Sequence, residues 1–256
     1  MKTIFDVETF KKTCEKEANS FNVIRHIHPE DLIFQFCINN ECFKTKNQAI
    51  KYYFSQGRDS AEKLAMIIEN FSTVSFDKIE LLEFASGYGA VTRHLRNVLP
   101  NVDITSCDIH EKAIEFIENQ LFTPAILSHT EPECLQLPKN YDVVFVLSFF
   151  SHMPKITWDR WLLSLFNCVK RDGLLIFTTH GNLSKKHFGF PEIGEDGFWF
   201  KPTSEQTDLN INDYGMTISL EKYVDSAIKR LNNVNLIYYR EGYWWEHQDL
   251  YVLRKL

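Results

Sequence analysis

Two glycines and two carboxylates carry the chemistry this chain can do. Gly87 and Gly89 follow an apolar run over 79–82 and the acid Glu83, and they precede Val91, Leu95 and Val98, apolar residues at helical steps that stop at Pro100. A strand, a tight turn and a helix N-terminus are the expected products, the opening unit of a nucleotide-binding α/β half. Glycine serves where the backbone turns sharply or meets a ligand with no Cβ in the way. About twenty residues further on, the segment 102–107 reads as a second strand ending in Asp108, where such folds place an acid on a ribose. Asp108 can accept hydrogen bonds from both ribose hydroxyls, or it can cap a helix beginning near Glu111. Its spacing from the glycine turn favours the ribose.

Histidine is the natural base at neutral pH. His152 and His180 each fall just beyond an expected strand end, on the side where open α/β sheets bind ligands. Either can take a proton from an acceptor hydroxyl or hold its loop by a buried hydrogen bond. Glu246 and His247, beside Trp244 and Trp245, can add to an acceptor pocket or to a core. Six cysteines (Cys14, Cys37, Cys42, Cys107, Cys134, Cys168) are scattered without a C-x-x-C pair, so reduced thiols and no metal site are expected.

A dinucleotide fingerprint would need a third glycine at position 92, where helix and strand pack beside a pyrophosphate; Thr92 stands there. That departure, with an acid ahead of the glycines, disfavours NAD and FAD. The chain resembles the class I S-adenosylmethionine-dependent methyltransferases, whose first motif is an acid followed by x-G-x-G-x-G. Glu83 matches the acid, Ala85 stands at the first glycine, and Gly87 and Gly89 match the others. Tyr141-Asp142-Val143-Val144 resembles the F-D-x-V fourth strand, and the stretch 149–154, ending in His152-Met153-Pro154, is similar to the S-V-F-T-H-L segment of one subgroup. Residues 169–181 resemble its L-K-P-G-G-x-L-x-x-T-x-H-G turn and strand, and 247–254 its Q-D-x-Y-V-x-R ending. The resemblance runs from about residue 45 to the C-terminus. That subgroup is associated with surface-glycan and glycosyltransferase systems.

The resemblance implies a donor site made of Glu83 near the amino group, Ala85, Ser86, Gly87 and Gly89 along the methionine portion, Asp108 and Ile109 at the nucleoside, and Leu147 and Ser148 beneath. It implies Glu133 and Cys134 at the adenine, with Tyr53, Gly57 and Arg58 of the lead-in as a cover; Tyr53 suits a core equally well. Methyl transfer needs alignment rather than a metal or a covalent nucleophile. The implied cofactor is S-adenosylmethionine.

The elements that must position these residues form an α/β fold. Strands are expected near 79–84, 102–107, 125–128, 141–147, 173–179, 234–240 and 249–254, and helices near 89–98, 110–120, 157–169 and 219–231. Such alternation means a Rossmann-like, mostly parallel seven-stranded sheet with helices on both faces; by the resemblance, the last strand is antiparallel. Residues 1–70 read as a mostly helical N-terminal extension ahead of a methyltransferase domain over 71–256. In it Asp6 would cap a first helix, 31–42 could be strand or helix, a helix from Thr45 would stop at Gly57, and Ser60 would cap another. The stretch 181–218, with Phe188, Phe190, Phe198, Trp199 and Phe200, is long for a connection and too apolar for a disordered linker; a substrate-covering lid is preferred over a packed insertion, with Trp199 acting on the acceptor.

Composition bounds the partners. A net charge of −6 with no run of five or six basic residues argues against nucleic acid, which needs a basic footprint. No apolar run approaches a membrane span, and the N-terminus meets an acid within six residues, so a cytoplasmic protein is expected. The reading is a methyltransferase, most consistent with O-methylation of a small or glycan-linked acceptor. A non-catalytic donor-binding module and a nicotinamide oxidoreductase are the alternatives. The sequence leaves oligomeric state unknown.

Overall fold

Strand β4 (Tyr141–Val146) is buried at every position, the mark of a central parallel strand covered on both faces. In the computed structural model, which describes residues 7–189, 193–204 and 206–256, it sits at the middle of a seven-stranded sheet. Its companions are β1 (Glu80–Phe84), β2 (Asp103–Asp108), β3 (Ala125–Leu127), β5 (Val169–His180), β8 (Val234–Trp244) and β9 (Gln248–Lys255), while β6 (Phe198–Lys201) and β7 (Met216–Ser219) form a separate hairpin. The order is β3-β2-β1-β4-β5-β9-β8; neighbours among β1 to β5 run parallel, and β9 runs antiparallel to both β5 and β8. The expected sheet and its antiparallel last strand are present. Asp6 and Phe190 lie outside the described residues.

The two-residue alternation of the strands divides the core. Leu82, Phe84, Val144, Val146, Leu175 and Phe177 face α6 (Lys155–Asn167) and α8 (Glu221–Ile228). Leu81, Val143, Phe145, Leu174 and Ile176 face α3 (Lys46–Phe71) and α4 (Thr92–Val98). At the foot of the sheet the buried Asp142 carboxylate accepts the Glu80 N–H at 2.9 Å and the Lys170 ammonium at 2.8 Å.

The extension departs from expectation in an instructive way. Residues 31–42 resolve as a helix, α2 (Leu32–Asn39), capped by Asp31, and α1 (Val7–Ser20) packs with it on α3. Thr45 does cap α3, but that helix runs unbroken through Gly57 to Phe71. Gly57 is there for approach rather than termination: a Cβ on it would lie 2.2 Å from the Ala90 carbonyl oxygen and 2.9 Å from the His94 ring. Ser60 caps nothing; its hydroxyl accepts the Trp244 indole N–H at 3.0 Å. The first half of α3 therefore packs with α1 and α2, and its second half lies on the sheet.

The stretch 181–218 is more regular than expected. It holds α7 (Asn182–Phe188) and the β6–β7 hairpin, and Phe198, Thr217 and Ile218 are buried. Among the described residues, no helix is long and apolar enough to cross a membrane.

Gly57→Ala is a sharp test of this packing. Alanine gains about 1 kcal/mol in intrinsic helix propensity, yet overlap with a fixed backbone carbonyl costs about 1–3 kcal/mol. Urea unfolding should show net destabilisation; a gain in stability would mean that Gly57 merely interrupts a helix.

Candidate active site

The turn after β1 is built from left-handed backbone. Ala85, Gly87 and Gly89 have φ of +59°, +55° and +77°. An alanine there costs about 1–2 kcal/mol, which is the physical content of a glycine at that place in the motif. The turn is held across the tip of β2: Ser86 N–H donates to the Cys107 carbonyl at 3.1 Å, and Gly87 N–H donates to Asp108 Oδ2 at 2.7 Å. A Cβ on Gly87 would meet open space, whereas one on Gly89 would lie 2.3 Å from Leu121 Cδ1. Gly89 thus brings the turn against the end of α5 (Glu111–Gln120) and does not line the cavity below, contrary to the expected donor contact.

Asp108 is not the cap of α5. Its Oδ1 takes the backbone N–H of His110 at 3.1 Å and the His110 Nδ1 at 2.7 Å, so the carboxylate joins the glycine turn to the entrance of that helix. His110 Nε2 stands 3.0 Å from the Asp208 carboxylate, which comes from the stretch between β6 and β7. The bond to Asp108 raises the His110 pKa. Glu83 is buried at the end of β1 and accepts hydroxyls from Thr92 at 2.6 Å and Ser106 at 3.1 Å. Burial pushes its pKa up to about 7 against those two bonds. Thr92, where a dinucleotide site would carry glycine, holds the acid in place.

The extension reaches this turn through Arg93. Its guanidinium donates to the Gly89 carbonyl at 3.1 Å and to the Ile24 and His26 carbonyls at 2.9 Å each. Tyr53 lines the cavity and donates its hydroxyl to Asp31 Oδ2 at 2.6 Å, so it serves the core and the cavity wall together. Arg58 does neither: it pairs with Glu62 on the outer side of α3, at 2.7 Å. Glu133 and Cys134 also stay outside the cavity, because Pro132 opens a 3-10 turn that sends Glu133 to Arg160. Ser128, His129, Thr130 and Glu131 line it instead.

Past β4 and β5 a hydrogen-bonded cluster fixes the other wall. Ser148, at φ +56°, donates its N–H to Thr178 Oγ1 at 2.8 Å, and Thr178 donates to Gln248 Oε1 at 2.7 Å. The Gln248 amide in turn donates to Ser148 Oγ at 2.8 Å and to His180 Nε2 at 3.2 Å. That bond occupies the basic nitrogen of His180, and burial beside His152, His247 and His187 holds its pKa well below the usual histidine value. His180 lines the cavity but is fixed as a neutral wall rather than a base, a correction to its expected role. His152 differs: its Nδ1 donates to the Gly215 carbonyl at 2.8 Å, which makes Nε2 the basic nitrogen of the neutral ring, and the ring stacks on Tyr214 at 4.4 Å.

Glu83, Ala85, Ser86, Gly87, Asp108, Ile109, Leu147, Ser148, His152 and His180 line one cavity of about 570 Å³, within the usual size of small-molecule sites. Its described lining includes Asp31, Asp213 and Glu131 but no Lys or Arg. Phe188, Tyr214 and Met216 supply its wall from the 181–218 stretch; Trp199 does not line it. Sequence reasoning missed Asp31, His110, Tyr214 and Gln248. Gln248 alone left a usable trace, as the polar residue that opens the last strand ahead of its apolar run over 250–253.

Residues 82–175 match the family described as a methyltransferase domain. No curated protein sequence matches the chain. Among solved structures, an amino pentose methyltransferase of calicheamicin biosynthesis from Micromonospora echinaspora, solved with S-adenosylmethionine bound, is 14% identical with a TM-score of 0.58, covering 85% of this chain and 99% of its own. The magnesium protoporphyrin IX methyltransferase of Synechocystis, also with S-adenosylmethionine, is 12% identical with a TM-score of 0.54 over 100% of both chains. An N-methyltransferase of Bradyrhizobium japonicum in complex with S-adenosylhomocysteine is 10% identical with a TM-score of 0.53, covering 89% and 99%. Over residues 82–175 the chain matches a methyltransferase domain, and it shares its fold with these solved methyltransferases.

Proposed function

We propose that the protein is an S-adenosylmethionine-dependent methyltransferase acting on a hydroxyl of a small or glycan-linked acceptor. One observation carries the reading: Glu83, the left-handed turn at Ala85 and Gly87, and Asp108 open into the same cavity as His152. The bound donor would supply a sulfonium methyl group, already activated for in-line displacement. Asp108 holds the ribose hydroxyls with the lone pairs left by Gly87 and His110, and Ile109 and the 128–131 stretch flank the base. Glu83 faces the ammonium group, and Ala85 to Gly87 lie along the methionine chain. Leu147 and Ser148 form the floor beneath it.

His152 Nε2 takes the acceptor's hydroxyl proton as the oxygen–methyl bond forms, and the electron pair of the breaking carbon–sulfur bond stays on sulfur. Alignment of donor and acceptor supplies about 7–11 kcal/mol in favourable cases, and a positioned base adds about 10²–10⁴-fold. The residues between β6 and β7 close the acceptor side and exclude water. A described lining that holds Glu83, Asp108, Glu131 and Asp213 and no Lys or Arg suits a cationic donor.

Three measurements test this reading. Asp108→Ala should weaken S-adenosylhomocysteine binding by about 1.5–3 kcal/mol in calorimetry, the usual loss for charge-assisted hydrogen bonds, and wild-type affinity would remove Asp108 from the site. Glu83 in the free protein loses its proton near pH 7, and the ammonium group pairs only with the carboxylate. Affinity should therefore rise between pH 6 and pH 8 in the wild type and stay lower and flat in Glu83→Gln, with thermal unfolding as the control for folding. His152→Gln should cut methyl-label transfer from S-adenosylmethionine into a small-molecule extract by about 10²–10⁴-fold while leaving S-adenosylhomocysteine affinity unchanged. Undiminished transfer would exclude His152 as the base.

A further inference from the structure

The acceptor end of the cavity is walled by rings that touch in series. Tyr214 stacks on His152 at 4.4 Å between centroids, and His152 lies 6.3 Å from His180. His180 lies 5.4 Å from Phe188, which lies 5.3 Å from His247, itself 6.4 Å from Trp245. All six line the cavity, and they come from the tips of β4 and β5, from α7, from the approach to β7 and from the β8–β9 turn. Chain elements distant in sequence thus converge on one aromatic surface.

That surface is uncharged at neutral pH in the two members whose state is fixed. Gln248 and burial keep His180 neutral, and burial pushes the His247 pKa down to about 4. The described lining offers no Lys or Arg to meet a phosphate or carboxylate, while Asp213 beside Tyr214 would repel one. Trp245, which lines the cavity, carries a buried Nε1–H with no hydrogen-bond partner among the described residues. Flat faces, no cation and one unspent N–H together select for rings bearing neutral oxygen.

We propose that the acceptor is an uncharged, hydroxyl-bearing ring compound whose face lies on the wall formed by Tyr214, His152, His180, Phe188, His247 and Trp245. This rests on the methyltransferase reading of the same site and narrows it, excluding acceptors with a phosphate or carboxylate next to the reacting hydroxyl. An aromatic alcohol and the apolar face of a sugar ring share this chemistry. Trp245 would donate to a ring oxygen or hydroxyl, and His152 would receive the proton of the reacting one.

The experiment titrates 2-naphthol, 2-naphthoate and methyl β-glucoside into protein saturated with S-adenosylhomocysteine, by calorimetry. 2-Naphthol should bind about tenfold or more tightly than 2-naphthoate, because a carboxylate desolvated without a cation carries a large penalty. Phe188→Ala and Trp245→Ala should each weaken 2-naphthol by about tenfold and leave S-adenosylhomocysteine affinity unchanged. Glucoside that displaces 2-naphthol assigns the ring to a glycan; 2-naphthol binding without glucoside binding assigns it to an aromatic alcohol. Equal or tighter binding of 2-naphthoate overturns the proposal, and so does absence of binding by both neutral rings. Failure of S-adenosylhomocysteine itself to bind would instead overturn the methyltransferase reading.

Discussion

The hydrogen bond from Gly87 N–H to Asp108 is the constraint on which the site depends. A turn with three left-handed residues between 85 and 89 has little intrinsic preference for its shape. It is set because parallel pairing places Phe84 opposite Cys107, so that the Cys107 carbonyl and the Asp108 carboxylate stand under the turn's first two amides. The same carboxylate then fixes His110 and the start of α5. Arg93 extends the arrangement by tying the Gly89 carbonyl to the backbone at Ile24 and His26. The glycine turn and the N-terminal extension are therefore one hydrogen-bonded unit, which is why a helical lead-in distant in sequence comes to line the cavity beside that turn.

The antiparallel insertion of β9 orders the cavity wall past β4 and β5 as β2 orders the glycine turn. Placed between β5 and β8, it sets Gln248 opposite His180, and one side-chain amide orders Ser148, Thr178 and His180 at once. Within that group the Ser148, Thr178 and Gln248 side chains and His180 Nε2 answer one another, which lowers the cost of burying them. A parallel last strand would run its side chains in the other direction and bring its opposite end to this tip.

The glycine turn, Asp108 and the sheet order were legible because each follows from local pattern plus a fixed spacing: an apolar run, a turn residue, an acid about twenty residues on. Gly57 was misread because glycine ends a helix and permits close helix packing with equal ease, and only the Ala90 carbonyl on a neighbouring helix entrance distinguishes the two. Glu133 and Cys134 were displaced from the site by Pro132, a turn whose direction no periodicity encodes. Asp31 carries only the local signal of a helix cap, and His110 and Tyr214 carry none. Their roles arise from contacts across long stretches of chain, to Tyr53, to Asp208 and to His152.

The hairpin within 181–218 is tied to the body of the domain. Its return strand is bonded to the loop after β4: Gly215 N–H reaches the His152 carbonyl and Thr217 N–H the Ser151 carbonyl, each at 2.8 Å, and Thr217 Oγ1 reaches the Met153 carbonyl. Phe198 is sunk in the core with Tyr223. The hairpin strands are thereby fixed to the structure that holds His152. The stretch between them meets His110 through Asp208, and His110 rests on the same carboxylate that holds the glycine turn. Asp208, His110, Asp108 and Gly87 thus join the residues on either side of the cavity in one series of polar contacts, so the hairpin and the glycine turn are positioned against the same carboxylate.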